Sequence, residues 1–191
     1  MSAAPGLQSL SPRNIKVDNP PGIPYNEAIL KKRGMAMPIV TFYNCDPKDA
    51  PKTTMPAHLG ANAIITCQGK LLLERRRDSD TWGLIGGGCK KTETGREAMA
   101  REVYEELGLR IPKERFEKLA VYDNPGRIAA FRDGSIWRMV IVVYGLDFAE
   151  QPVLRISAES KDLKFFTKEE VKKLDIPVTH ADIVADWFLN R

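Results

Sequence analysis

Nine of the 13 prolines lie within residues 1–56, and this lopsided distribution decides where regular structure can be built. Proline has no N–H to donate and clashes inside helices. Segments such as "NPPGIP" (residues 19–24) and "DPKDAP" (residues 46–51) therefore exclude helix interiors and central strands. Only "NEAILKK", as a short helix, and "PIVTFY", as a short strand, stand out there. Residues 1–56 read as an extended arm and residues 57–191 as one folded domain. Two readings of the arm stay open: a solvated tail, or a segment packed on its own domain or on a second subunit. Ile39, Val40, Phe42 and Tyr43 are apolar enough to want burial, so a homodimer formed through the arm is one expectation.

Beyond the arm the texture changes. "GANAIIT" and "KLLLER", flanking "CQG", read as a β-hairpin, followed by a turn-rich loop, "RDSDTWGLIGGG". A helix comes next, then "KLAVYDN" as a strand. "RIAAF" and "WRMVIVVYGL" form a second hairpin with Asp133-Gly134 in its turn, and "DLKFF" adds another strand. "TKEEVKKL" is a short helix capped by Thr167 and Glu170, and "HADIVADWFLN" closes the chain as an amphipathic helix. Strands and helices mix without regular βαβ alternation. This predicts mixed sheets packed between helices, not a doubly wound parallel sheet.

Several classes fall away. The net charge is +4, and residues 1–56 carry +3 of it (seven Lys/Arg against four Asp/Glu), leaving the rest nearly neutral. That is a poor footprint for a nucleic-acid backbone, and no such partner is expected. The longest apolar run, residues 139–146, is too short to span a bilayer, and the first residues lack a signal-peptide pattern. Three cysteines without metal-type spacing fit a reducing compartment, so a cytoplasmic location is expected.

The residues that carry chemistry lie in "GGCKKTETGREAMAREVYEELGL", residues 87–109. Thr94 with Glu97 forms a capping box and Gly108 suits a helix terminus, predicting a helix from about Gly95 to Leu107. At about 100° per residue, Met99, Val103 and Leu107 share an apolar face, while Glu102, Glu105 and Glu106 fall within an arc of about 100° on the other. A solvated face is the ordinary explanation for such acids. Here, however, like charges one turn apart repel by roughly 0.2–0.5 kcal/mol per pair. Glu105 and Glu106 also oppose the helix dipole, by roughly 0.3–1 kcal/mol each. Clustered carboxylate oxygens suit a hard divalent cation, which relieves both penalties.

The spacing Gly-x5-Glu-x7-Arg-Glu-U-x-Glu-Glu-x-Gly-U, with U aliphatic, is met by Gly87, Glu93, Arg101, Glu102, Val103, Glu105, Glu106, Gly108 and Leu109. It resembles the box of the Nudix hydrolases. One departure is Ile85, where many relatives have proline. The resemblance implies an α/β fold of the Nudix type, an α/β/α sandwich with mixed sheets. It implies hydrolysis of a small-molecule substrate, a nucleoside diphosphate linked to another group. Mg2+ or Mn2+ would be bound by Glu102, Glu105 and Glu106 with the backbone of Gly86. Glu93 and Arg101 would tie the loop to the helix, and Gly87 would let the phosphates approach backbone. Arg76 would clamp a phosphate. The general base would be a box glutamate such as Glu105, or an acid on a later loop, for which Glu159 is the candidate.

Pro125, 16 positions after Leu109, matches a feature of ADP-ribose pyrophosphatases. Gly126 and Arg127 stand where diadenosine polyphosphate hydrolases carry tyrosine. An ADP-ribose-like nucleotide sugar is therefore the first expectation, with Tyr122, Phe131 and Trp137 as aromatics able to stack a base. Clean-up of nucleoside triphosphates or dinucleoside polyphosphates is the alternative. A non-hydrolysing nucleotide sensor fits less well, because every box acid is present and the residues after Leu174 are too few for a winged helix.

Overall fold

The computed structural model describes residues 40–77 and 79–190. The helix expected in "NEAILKK" and the first two residues of "PIVTFY" lie outside the described residues. Among those described, the strands are β1 (Val40–Asn44), β2 (His58–Cys67), β3 (Lys70–Arg76), β4 (Trp82–Gly83), β5 (Ile85–Gly88), β6 (Glu117–Tyr122), β7 (Arg127–Phe131), β8 (Ile136–Phe148) and β9 (Ser160–Phe166). The helices are α1 (Gly95–Leu107), α2 (Lys168–Val171) and α3 (Val178–Val184), the last continuing into a π-helical turn over Ala185–Leu189. None is long and apolar enough to cross a membrane.

The strands follow the order β1-β7-β8-β2-β3-β4, with β5 added to β2, β6 to β8 and β9 to β3. β2 and β8 run parallel from His58↔Met139 to Cys67↔Phe148, and the other pairings are antiparallel. Period-two alternation separates two cores. Ala61, Ala63, Ile65 and Cys67 of β2 pack toward α1, against Met99, Val103 and Leu107. Ile64, with Leu71 and Leu73, packs on the opposite side against Val171, Ile183, Val184 and Phe188 of the C-terminal helices. The result is an α/β/α sandwich with a mixed sheet.

The first hairpin turns at Gln68 (φ 50°) and Gly69 (φ 72°), both left-handed, as a two-residue hairpin turn requires. Its strands pair only at Thr66↔Leu71 and Cys67↔Lys70 and then part. The gap admits β4 on β3 and β5 on β2. The stretch "RDSDTWGLIGGG", expected as a loop, therefore contains two strands. Glycines give no alternation and weak strand propensity, so the pairing with β2 has to supply what the local sequence lacks.

β1 adds to the edge of its own domain, pairing antiparallel with β7 from Val40↔Phe131 to Asn44↔Arg127. The chain beyond it stays attached, with Cys45 N–H donating to the Gly126 carbonyl (3.3 Å) and Thr54 N–H to the Ile136 carbonyl (3.0 Å). A buried cation locks this edge to α3. Arg127 is fully buried and donates to the Thr179 carbonyl and to Asp182 Oδ2. Asp182 Oδ2 also accepts from Asn44 Nδ2 (3.2 Å), so one carboxylate joins β1, β7 and α3.

His180, also on α3, accepts the Leu84 N–H at Nδ1 (3.1 Å). Burial, with Arg76 and Arg127 nearby, pushes its pKa down to about 3 from an ordinary 6.5. The folded imidazole thus holds a proton less tightly than the unfolded one, so stability is lost as pH falls from about 6.5 toward about 3. His180→Asn keeps an acceptor for Leu84 without the titration. Its melting temperature is expected to fall less steeply than that of the native protein across this window. Equal slopes would assign the acid sensitivity to other groups.

Candidate active site

Helix α1 forms where its local signals place it. Thr94 Oγ1 accepts from Glu97 N–H, and the Glu97 carboxylate accepts from Thr94 N–H (2.9 Å). Gly108, at φ 74°, ends the helix in the left-handed conformation that glycine tolerates. The three acids expected on one open face meet different environments. Glu105 is about half-exposed (52%), whereas the Glu102 side chain keeps only 12% of its exposure. Glu106 is buried outright. A helical wheel cannot see that β5 covers part of that face.

The glycines of β5 make this approach possible. Gly86 N–H donates to Glu106 Oε2 (3.1 Å). Gly86 sits at φ 143°, and a Cβ there would lie 2.1 Å from the Ala61 carbonyl oxygen. A Cβ on Gly87 would fall 2.5 Å from Glu102 Oε1. Only bare backbone lets the carboxylates come this close.

Arg101 ties the loop before α1 to the helix. Its Nε and Nη2 form a two-point pair with the Glu93 carboxylate (2.7 and 2.9 Å), and Nη2 also reaches the Gly88 carbonyl (3.0 Å). Nη1 donates to Glu102 Oε1 (2.7 Å) and Glu105 Oε2 (3.0 Å). These bonds hold the Glu93 carboxyl at about 2, well below its ordinary value. Glu106 moves the other way, pushed up to about 9 by burial and then by neighbouring Glu74 and Glu102, which outweigh Gly86 N–H and Arg76. Burial also raises Glu102, against the pull of Arg101.

Glu74 joins the site without having been singled out by the motif. It is 2% exposed on β3 and accepts from Ser160 Oγ (2.6 Å). A usable signal exists in its neighbours: an acid directly following Leu71, Leu72 and Leu73 in a strand buried on both faces calls for a partner.

An open cleft of about 350 Å³ lies alongside, lined by Glu74, Arg76, Arg77, Ala158 and Glu159. Arg76 and Glu159, from segments far apart in sequence, are thus brought together. Arg77 holds the acidic loop in place, with its N–H on the Glu159 carbonyl (2.9 Å) and its guanidinium on the carbonyls of Ala158 and Ser160 (3.0 Å each). Glu159 is near enough to Glu102 to contribute to raising its pKa. Pro125 does not line this cleft. It is exposed in the β6–β7 turn, between Asn124 and Gly126, whose N–H donates to Asn124 Oδ1 (3.0 Å). Of the aromatics, Tyr122 is engaged with Asp186 (2.8 Å) and Trp137 stands edge-on to His58 (5.8 Å between ring centres). Phe131, at the end of β7, is 40% exposed.

This donor set fits a hard divalent cation, because it offers carboxylate and backbone oxygens and nothing softer. Among the described residues no three His, Cys, Asp or Glu side chains already converge on one point, and Arg101 engages both Glu102 and Glu105. Two carboxyls held above their ordinary range by burial, at Glu102 and Glu106, are the feature that favours a cation. An ion beside them would reverse the penalty that now raises both.

A family model described as "NUDIX domain" matches residues 56–187. The chain is similar to a "MutT-like protein" of Streptomyces ambofaciens, 31% identical over 135 residues that cover 69% of this chain and 77% of the relative. It is also similar to an "ADP-ribose pyrophosphatase" of Methanocaldococcus jannaschii, 29% identical over 168 residues, 85% of this chain and 84% of that one. Among solved structures, a MutT/nudix family protein from Enterococcus faecalis superposes with a TM-score of 0.55 at 22% identity, over 71% of this chain and 62% of that one, a likeness of fold.

Proposed function

The chain belongs to the Nudix family and is a Nudix pyrophosphohydrolase, and from that premise we propose that it cleaves the phosphoanhydride of a nucleoside diphosphate linked to a sugar, of the ADP-ribose type, with Mg2+ or Mn2+ held at Glu102, Glu105, Glu106 and the backbone of Gly86. The observation that carries this reading is the burial of Glu106 against Gly86 N–H, with Glu74 and Glu102 beside it, which together push its carboxyl up to about 9 against the pull of Gly86 N–H and Arg76. A bound divalent cation supplies neutralisation of pyrophosphate oxygens and acidification of water.

The protein's own residues do the rest. Arg101 fixes Glu93, Glu102 and Glu105 in one bonded unit, which keeps the acids oriented before substrate arrives. Gly87 leaves backbone open to the phosphates. Arg76, on the cleft wall, pairs with a phosphate oxygen. Glu159 on the same wall accepts a proton from the attacking water, with Glu105 as the box acid nearest solvent. The water oxygen bonds to phosphorus, the bridging P–O bond breaks, and a nucleoside monophosphate and a sugar phosphate leave. The sequence position of Pro125 and the 168-residue similarity to the protein named ADP-ribose pyrophosphatase support this substrate class.

Incubation with ADP-ribose, nucleoside triphosphates and diadenosine polyphosphates, each with Mg2+ and Mn2+, tests the reading by product analysis. AMP and ribose phosphate from ADP-ribose are expected as the fastest release. Faster release of pyrophosphate from a triphosphate would reassign the substrate, and no hydrolysis of any diphosphate would favour a sensor. Separately, millimolar Mg2+ or Mn2+ should raise the melting temperature, since a ligand at about 100 times its Kd stabilises the native state by about 2.7 kcal/mol. An unchanged melting temperature would count against a cation site on α1.

Among the described residues β1 pairs along one edge only, so its outer edge is where a second copy would add. Light scattering on the full chain and on a form lacking residues 1–39 tests a homodimer there. A monomeric full chain would end that reading.

A further inference from the structure

Glu74 and the acidic loop that lines the same cleft are joined by a chain of hydrogen bonds. Period-two alternation puts Glu74 on the face of β3 that Leu72 turns toward α1. There it is buried, and Ser160, fully buried at the start of β9, donates to its Oε1 at 2.6 Å. A hydroxyl has one hydrogen to give. With Ser160 committed to Glu74, the Ser157 hydroxyl is therefore the donor in the 2.9 Å contact between the two serines. Ser157 Oγ in turn accepts from the Glu159 N–H (3.2 Å). The bonds thus run in one direction, from the Glu159 backbone through two hydroxyls to a buried carboxylate.

Arg77 grips the same turn through its carbonyls, those of Ala158, Glu159 and Ser160. The β3–β9 register shifts between Arg75 and Arg76, which sets Arg76 opposite Ser160 and brings the turn level with the arginine of the cleft. With carbonyls held by a cation and hydroxyls held by an acid, residues 157–160 form a rigid mount. The Glu159 side chain is exposed on it, at the cleft wall. An apolar residue at position 74, continuing the run Leu71, Leu72 and Leu73, would cost less to bury than an acid. What the acid adds is an end point for the chain that reaches Glu159.

We propose that Glu74, Ser160 and Ser157 are positioning residues for the cleavage reaction, holding the turn so that the Glu159 carboxylate faces the attacking water. This rests on the reading of Glu159 as the proton acceptor. A general base must lie about 2.6–3.2 Å from the proton it takes, and an acid on a surface turn meets that condition only when the turn is fixed. Linked hydrogen bonds polarise and strengthen one another, so breaking one link loosens the end that carries Glu159.

The experiment combines kinetics on the full chain, using the diphosphate that the native protein cleaves fastest, with amide hydrogen exchange. Ser157→Ala cuts the chain at a half-buried position and should lower kcat about tenfold or more, the scale of a misplaced reacting group, with KM little changed. Its affinity for Mn2+, read by electron paramagnetic resonance, should equal that of the native protein. Ser157→Thr restores the hydroxyl and should restore kcat. On a Glu159→Gln background, Ser157→Ala should cost nothing further, because both changes act on one group. Ser160→Ala, which breaks the chain farther from the turn's tip, should speed exchange of the Glu159 amide. Native kcat in Ser157→Ala, a loss that adds fully to that of Glu159→Gln, no rescue by threonine, or unchanged exchange would overturn the proposal. A Glu159→Gln variant with native turnover, or a native protein that cleaves no diphosphate, would strike the proton acceptor or the hydrolase reading itself, and this role with it. A slow Glu159→Gln beside a native Ser157→Ala would strike the positioning role alone.

Discussion

Glu106→Gln is expected to lower turnover by about two orders of magnitude or more, the scale of losing a principal electrostatic contributor at a reacting centre, while leaving the fold intact. Glutamine has the shape of glutamate and still offers an oxygen to Gly86 N–H, so the β5–α1 contact survives. What disappears is the charge, the property that the proposed cation site requires of this position. Stability should respond in the opposite direction. With the folded carboxyl at about 9 and an ordinary value of 4.5, the native state keeps a proton that the unfolded chain releases. Metal-free native protein therefore loses stability as pH rises from about 4.5 to about 9, and the variant is spared that loss. Steady-state kinetics and thermal melts across this range check both parts. Turnover near the native rate would remove Glu106 from the active site.

Asp182→Ala is expected to destabilise the fold by about 3 kcal/mol, because it strands a fully buried guanidinium without its carboxylate. For a chain of this size that corresponds to a melting temperature lower by roughly 6–12 °C. Arg127 cannot recruit a substitute. Its Nε already lacks a partner, and Thr179 offers only a carbonyl. Asn44 Nδ2 loses the same acceptor, so the β1 edge should loosen with α3. The double variant Arg127→Met/Asp182→Ala removes both charges and refills part of the volume, and it should be more stable than Asp182→Ala. A double variant less stable than the single one would show that the ion pair is not what holds this edge.

The two outcomes probe features of very different legibility. The carboxylates of α1 stand out from spacing and helical periodicity alone, whereas Arg127 is marked in the sequence only as a residue standing where some relatives carry tyrosine. Its burial depends on α3, more than 50 residues away, closing over it. The same applies to Glu74, whose partner Ser160 lies 86 residues on. Arg76 and Glu159 belong to separate segments, and the pairing of β3 with β9 is what sets them on one cleft.

Local sequence determined helix α1 from cap to cap, the second hairpin with its Asp133-Gly134 turn, the capped start of α2 and the presence of the box acids. Each of these rests on interactions between residues within a few positions of one another, where capping, periodicity and turn chemistry act directly. Tertiary structure alone decided that a glycine-rich stretch becomes β4 and β5, that β1 joins β7, and that Glu106 is buried while Glu105 stays open. Those outcomes depend on which strand or helix arrives from a distant part of the chain to pair with, cover or desolvate the residue, and pairing, burial and the charge shifts that follow exist only once that partner is in place.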